Sequence, residues 1–71
     1  MKIYWWEGKV AISIRESLKE ERIEIFTYKV KGFCMKEAFD NLDQLLLDEL
    51  EEDEAYLGYR ILGIKITGLE M

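Results

Sequence analysis

Residues 2–15 read Lys-Ile-Tyr-Trp-Trp-Glu-Gly-Lys-Val-Ala-Ile-Ser-Ile-Arg, and the fold turns on how this stretch alternates. Val10, Ile12 and Ile14 share one parity, and Lys9, Ala11, Ser13 and Arg15 share the other. That is the period of a half-buried strand. Tyr4 and Trp6 join the parity of Val10 if the strand is continuous. Successive strand residues point to opposite faces, so Trp5 and Trp6 cannot both enter one core. Glu7-Gly8 as a bulge or tight turn would bring Trp5 and Ile3 to the Val10 face instead. One long strand bent at Gly8 is the preferred outcome.

Working outward, Glu16 to Glu21 is polar and predicts a turn, followed by a second strand over about Arg22 to Lys31. The apolar parity of that strand changes midway. Ile23 and Ile25 fall on one face, and Phe26, Tyr28 and Val30 on the other, which predicts either a bulge near Ile25-Phe26 or burial on both sides. A helix is predicted over about Met35 to Asp53, with Met35, Ala38, Phe39, Leu42, Leu45, Leu46 and Leu50 as its apolar stripe. Cys34 or Gly32 lies near its N-cap, and Glu37 stands in the first turn, where the dipole favours an acid. The acids at the far end oppose the dipole and predict a frayed last turn. A closing strand over about Tyr56 to Thr67 alternates Leu62, Ile64 and Ile66 against Gly63, Lys65 and Thr67. Gly58, Gly63 and Gly68 form no phosphate-binding fingerprint, because no helix follows them, and no internal repeat is expected.

The expected fold is therefore α+β: one three-stranded, mainly antiparallel sheet in the order β-β-α-β, with one helix packed on one face. The first strand, the longest and most apolar, is expected at the centre. With its segments Tyr28-Lys29-Val30, Lys36-Glu37-Ala38 and Ile64-Lys65-Ile66, this layout resembles many small phage-encoded proteins of unassigned function, a resemblance that names no family.

The chain has 71 residues, expected to form one domain over 1–71, and 49% of them are hydrophobic, ample for a core. No apolar run reaches the roughly 18–20 residues of a membrane span, and no signal-peptide layout opens the chain. There is one cysteine and no histidine. A lone thiol cannot close an internal disulfide, so a reducing, cytoplasmic setting is expected. Without histidine the commonest general base and the commonest metal ligand are both missing. The expectation is a protein that is not an enzyme and uses no cofactor. Cys34 reads as a small apolar residue rather than a reactive thiol.

Charge is segregated along the chain. Lys36 to Glu54 holds nine acids and one base, a balance of −8, while the remainder holds six acids and nine bases, a balance of +3. The helix reads as an acidic rod on a mildly basic sheet. On the helical wheel Leu47 points away from the apolar stripe, among Asp40, Asp43, Gln44, Glu51 and Glu54. An apolar residue ringed by carboxylates suits docking on a basic partner, with the acids steering the encounter. Asp40 to Glu54 would span about 21 Å, enough to imitate a stretch of phosphate backbone. The specific form expected is a phage or mobile-element inhibitor that engages a basic, nucleic-acid-binding host protein. The pairs Asp40/Asp43 and Glu51/Glu54 stand at metal-ligand spacing, but a helix surface alone rarely closes a hard-cation site, and no metal site is expected.

The rival surface is the sheet face away from the helix. There Trp5 would be joined by either Phe26/Tyr28 or Ile23/Ile25, with Lys9, Arg15, Lys29, Lys31, Arg60 and Lys65 on the same strands. A second copy in a symmetric homodimer, or another protein, is the preferred cover for such a face. The alternative is single-stranded nucleic acid stacked on the aromatic rings. A net charge of −5 and a pI near 4.7 oppose that alternative. No membrane partner is expected.

Overall fold

A computed structural model describes residues 2–70 of the chain, with side chains described for residues 2–68. Strand β1 runs from Ile3 to Arg15. Strand β2 (Glu21–Gly32) pairs with it antiparallel, and the turn between them closes through Glu16 N–H to Glu20 O at 2.9 Å. Helix α1 (Met35–Glu52) follows, and strand β3 (Tyr56–Glu70) returns antiparallel along the other edge of β1. The sheet order is β2-β1-β3. The β-β-α-β antiparallel sheet with β1 at its centre stands as the alternation of residues 2–15 predicts.

No bulge or turn interrupts β1 at Gly8. The β1–β2 register runs without a shift from Tyr4↔Gly32 to Arg15↔Glu21. Gly8 instead lies buried beneath Leu42, and a Cβ there would overlap the end of that side chain. Gly32 plays the same part nearer the helix start, where a Cβ would stand 2.7 Å from the Ala38 backbone nitrogen. Two glycines on adjacent strands thus let α1 settle close to the sheet. Trp6, 7% exposed, lies on this covered face, and its indole Nε1–H donates to Gly32 O at 2.9 Å. Trp5 is on the other face.

The core is Trp6, Val10, Ile12, Ile14, Val30, Ala38, Leu42 and Leu46, with Phe26, Tyr28, Leu50, Tyr56, Tyr59, Ile61 and Ile64 packed around it. The buried helix stripe is narrower than the sequence predicts. Ala38, Leu42 and Leu46 point straight at the sheet, while Met35, Phe39 and Leu45 stay exposed. The helix opens at Cys34, where Glu37 Oε1 accepts the Phe33 N–H at 3.2 Å. It ends at Glu52, so Glu54 lies in the turn after the helix.

Two expectations about the outer strands are corrected. β2 has neither a bulge nor burial on both sides. Ile23 and Ile25 are simply exposed, on the face away from α1. β3 does not alternate, because its register against β1 shifts between Trp5/Trp6, Lys9/Val10 and Ser13/Ile14. Four residues of β1 are matched by five of β3, leaving Leu57, Leu62 and Thr67 outside the register. The sequence carries the same period as Tyr-Leu-Gly-Tyr-Arg (56–60), Ile-Leu-Gly-Ile-Lys (61–65) and Ile-Thr-Gly-Leu-Glu (66–70), an internal repeat after all. In each unit the first and fourth residues fall on the helix side of the register, and the third and fifth on the open side. Leu62, expected to point inward, is 53% exposed; Ile61 takes the inward place. At the last bulge Thr67 Oγ1 donates to Trp5 O at 3.2 Å.

Candidate binding surfaces

On the covered side, two tyrosines tie the sheet to α1. Tyr28 O–H donates to Glu49 Oε2 at 2.8 Å, and Tyr59 O–H donates to Asp43 Oδ1. They grip the helix from opposite edges, β2 and β3. Asn41 Nδ2 adds a 2.7 Å bond to Lys31 O. Asp43 is therefore held by the fold, and its carboxylate is shared with the sheet. Burial and then the Glu49 contact push the Tyr28 phenol up to about 12. The Asp43 hydrogen bond and then burial push Tyr59 up to about 12 as well.

A phenol with a raised native pKa stabilises the fold in its protonated form. That contribution is complete below the unfolded value near 10 and is lost as pH rises through about 12. The melting temperature, followed by circular dichroism, is expected to fall between pH 10 and 12. A Tyr28→Phe/Tyr59→Phe variant is expected to start lower at pH 8 and to fall less over that window. Parallel curves for the two proteins would contradict the role given to the phenols.

Of the residues singled out on the helix, Asp40, Leu47 and Glu51 share the outer side, and all three are exposed, Leu47 to 43%. Asp48, also exposed, accepts a bond from Gln44 at 3.1 Å. Asp43 is withdrawn to Tyr59, and Glu54 stands past the helix end, so the acidic ring around Leu47 is smaller than the wheel predicts. Trp5 is not brought to these residues. It lies across the sheet from them.

The uncovered face is better organised than the sequence predicts. The register of β1 against its neighbours lays out its rows: Lys31-Trp5-Gly68, Lys29-Glu7-Lys65, Thr27-Lys9-Gly63, Ile25-Ala11-Arg60 and Ile23-Ser13-Gly58. Arg15 faces Glu21 at the end. All six bases named above thus fall on one face with Trp5, against two acids, Glu7 and Glu21, among the described side chains. Lys31 Nζ sits over the Trp5 ring, 4.9 Å from its centroid. The exposed apolar residues there are Ile3, Ile23 (68% exposed), Ile25, Leu57 and Leu62. Phe26 and Tyr28, candidates for this face on sequence grounds, point to the helix.

A shallow trough runs along β1 and β3. It is floored by Ala11, Ser13 and Gly58 and walled by Ile23, Leu57, Arg60 and Leu62. It continues past Gly63 between Lys9 and Lys65. Comparison with known proteins finds no matching family model, curated protein or solved structure. The molecule's role is therefore argued from its two charged sides alone.

Among the described residues, no group of three or more His, Cys, Asp or Glu is gathered to hold a metal ion, and no helix is long and apolar enough to cross a membrane. What sequence reasoning missed is the glycine-floored trough. The five-residue spacing of Gly58, Gly63 and Gly68 was the available signal.

Proposed function

We propose that this is a non-catalytic binding protein of the cytoplasm, that its working surface is the uncovered sheet face, and that this face takes an acidic protein surface bearing apolar side chains. The observation that carries the proposal is the gathering of Lys9, Arg15, Lys29, Lys31, Arg60 and Lys65 on one face beside Ile23, Ile25, Leu57 and Leu62. Bases concentrated on one side of an acidic molecule attract an anionic partner locally, whatever the net charge. Exposed aliphatic side chains then supply area to bury. Single-stranded nucleic acid stacks on successive rings, and this face offers only Trp5 among the described aromatic residues. In a symmetric face-to-face pair, the six bases of one copy would meet the same six bases of the other.

Leu47 supports a second role for the acidic side. Exposed between Asp40 and Glu51, it suits docking on a basic protein, in the specific form of a phage or mobile-element inhibitor of a nucleic-acid-handling host protein.

The sheet-face proposal is tested by titrating the protein with an acidic copolymer, poly(Glu,Leu), and with a labelled oligo-dT, reading Trp fluorescence. At about 0.15 M salt, where exposed charges are largely screened, the copolymer is expected to stay bound and the oligonucleotide to be released. A Lys9→Glu/Arg60→Glu/Lys65→Glu variant is expected to bind the copolymer at least tenfold more weakly. Equal binding by the variant, or an oligonucleotide that outlasts the copolymer in salt, would overturn the proposal.

A further inference from the structure

Gly58, Gly63 and Gly68 each follow a bulge residue of β3, but none has a packing role inside the chain. None has a positive φ, and a Cβ at any of the three would meet nothing within 4 Å. Gly8 and Gly32, by contrast, are packed against α1. Glycine in a strand interior weakens it, and where neither backbone nor packing requires it, close approach by something outside remains. The three recur at every fifth residue on the basic face, Gly58 and Gly63 along the trough and Gly68 in a separate hollow beside Trp5 and Lys29. Whatever lies there must be acidic, must offer an apolar side chain to Leu57, Leu62 and Ile23, and must come close to the β3 backbone.

The outer side of α1 has these properties. It presents Asp40, Asp48 and Glu51 around the exposed Leu47, on a helix of 18 residues. We propose that the occupant of the trough is the helix of a second copy, so that the protein stacks head to tail, the α1 of one copy lying on the sheet of the next. This rests on the sheet face taking an acidic protein surface. Because the two surfaces lie on opposite sides of the protomer, the contact is heterologous. It does not close as a pair and leaves one free surface at each end. Charge complementarity also makes the stacking sensitive to salt.

Two variants separate this arrangement from others. Asp40→Asn/Leu47→Gln/Glu51→Gln neutralises the helix side and leaves the sheet intact; Lys9→Glu/Arg60→Glu/Lys65→Glu reverses the sheet and leaves the helix intact. Light scattering on a size-exclusion column at low salt is the readout. The wild-type mass is expected to rise with concentration past two copies without a plateau. Each variant alone is expected to be a monomer, and an equimolar mixture to give a 1:1 heterodimer that grows no further, since only one complementary contact remains. A wild-type plateau at the dimer, or a monomeric mixture, overturns the stacking. If the mixture is monomeric while the wild type still binds poly(Glu,Leu), the sheet-face proposal survives and only the occupant is wrong. If neither binds, both fall.

Gly58→Thr/Gly63→Thr provides a check that leaves every charge in place. Its melting temperature is expected to equal or exceed that of the wild type, and its mass to stay that of a monomer. Unchanged assembly with the trough filled would overturn the proposal.

Discussion

Trp6→Ala is expected to cost about 3–5 kcal/mol, the range for removing a large aromatic side chain from a core. Its half-buried neighbour Trp5→Ala is expected to cost about 1–2 kcal/mol. The two residues differ only in parity. Trp6 is buried beneath α1, and its indole satisfies the Gly32 carbonyl, so truncation opens a void and leaves that oxygen without its donor. Trp5 is half-buried on the open face, and its loss removes the contact with the Lys31 ammonium and part of the ring's packing on the sheet. A domain of this size has roughly 0.05–0.15 kcal/mol of stability per residue, so the Trp6 change removes a large share of the total. Urea unfolding of both variants checks this, and similar losses at the two positions would contradict the assignment of the faces.

Leu42→Ala is expected to cost about 2–5 kcal/mol, towards the upper end, because the residue is fully buried and the sheet position facing it is glycine. With no side chain on Gly8, the sheet position directly facing the void has nothing to lean into it. The same geometry predicts a change of sign in a second substitution. In the wild type, Gly8→Ala pushes a methyl group into Leu42 and destabilises the fold. In the Leu42→Ala background that methyl group enters the vacated space and restores stability. Urea midpoints for the four proteins of this cycle test the coupling. Simple additivity would mean that α1 does not sit on Gly8 as described.

How much of this was legible in sequence differs by element. β1 was read correctly because a period-2 pattern over residues 10–15 needs no partner to interpret. The helix was placed to within a residue, but its stripe was drawn too wide. Met35, Phe39 and Leu45 are apolar without being covered, since only a narrow sector of one helix touches a flat sheet. β3 was misread at Leu62 because alternation was assumed, and a bulge in every unit replaces the period of two by a period of five. The packing role of Gly8 is not legible in the sequence because its contact, Leu42, is 34 positions away. Asp43 looked free for the same reason; Tyr59 reaches it from β3. The six bases were all noticed, yet their common face depends on the register of three strands, which side-chain pattern alone leaves open.

The central claim is that the uncovered sheet face is the working surface. The most direct test maps amide chemical shifts on the isotope-labelled Asp40→Asn/Leu47→Gln/Glu51→Gln variant, which keeps the sheet face and does not stack, during titration with poly(Glu,Leu). The result expected is a set of shifts confined to the rows around Trp5, Lys9, Ala11, Arg60 and Lys65, with positions 40, 47 and 51 unmoved. Shifts centred on α1, or none on the sheet, would contradict it.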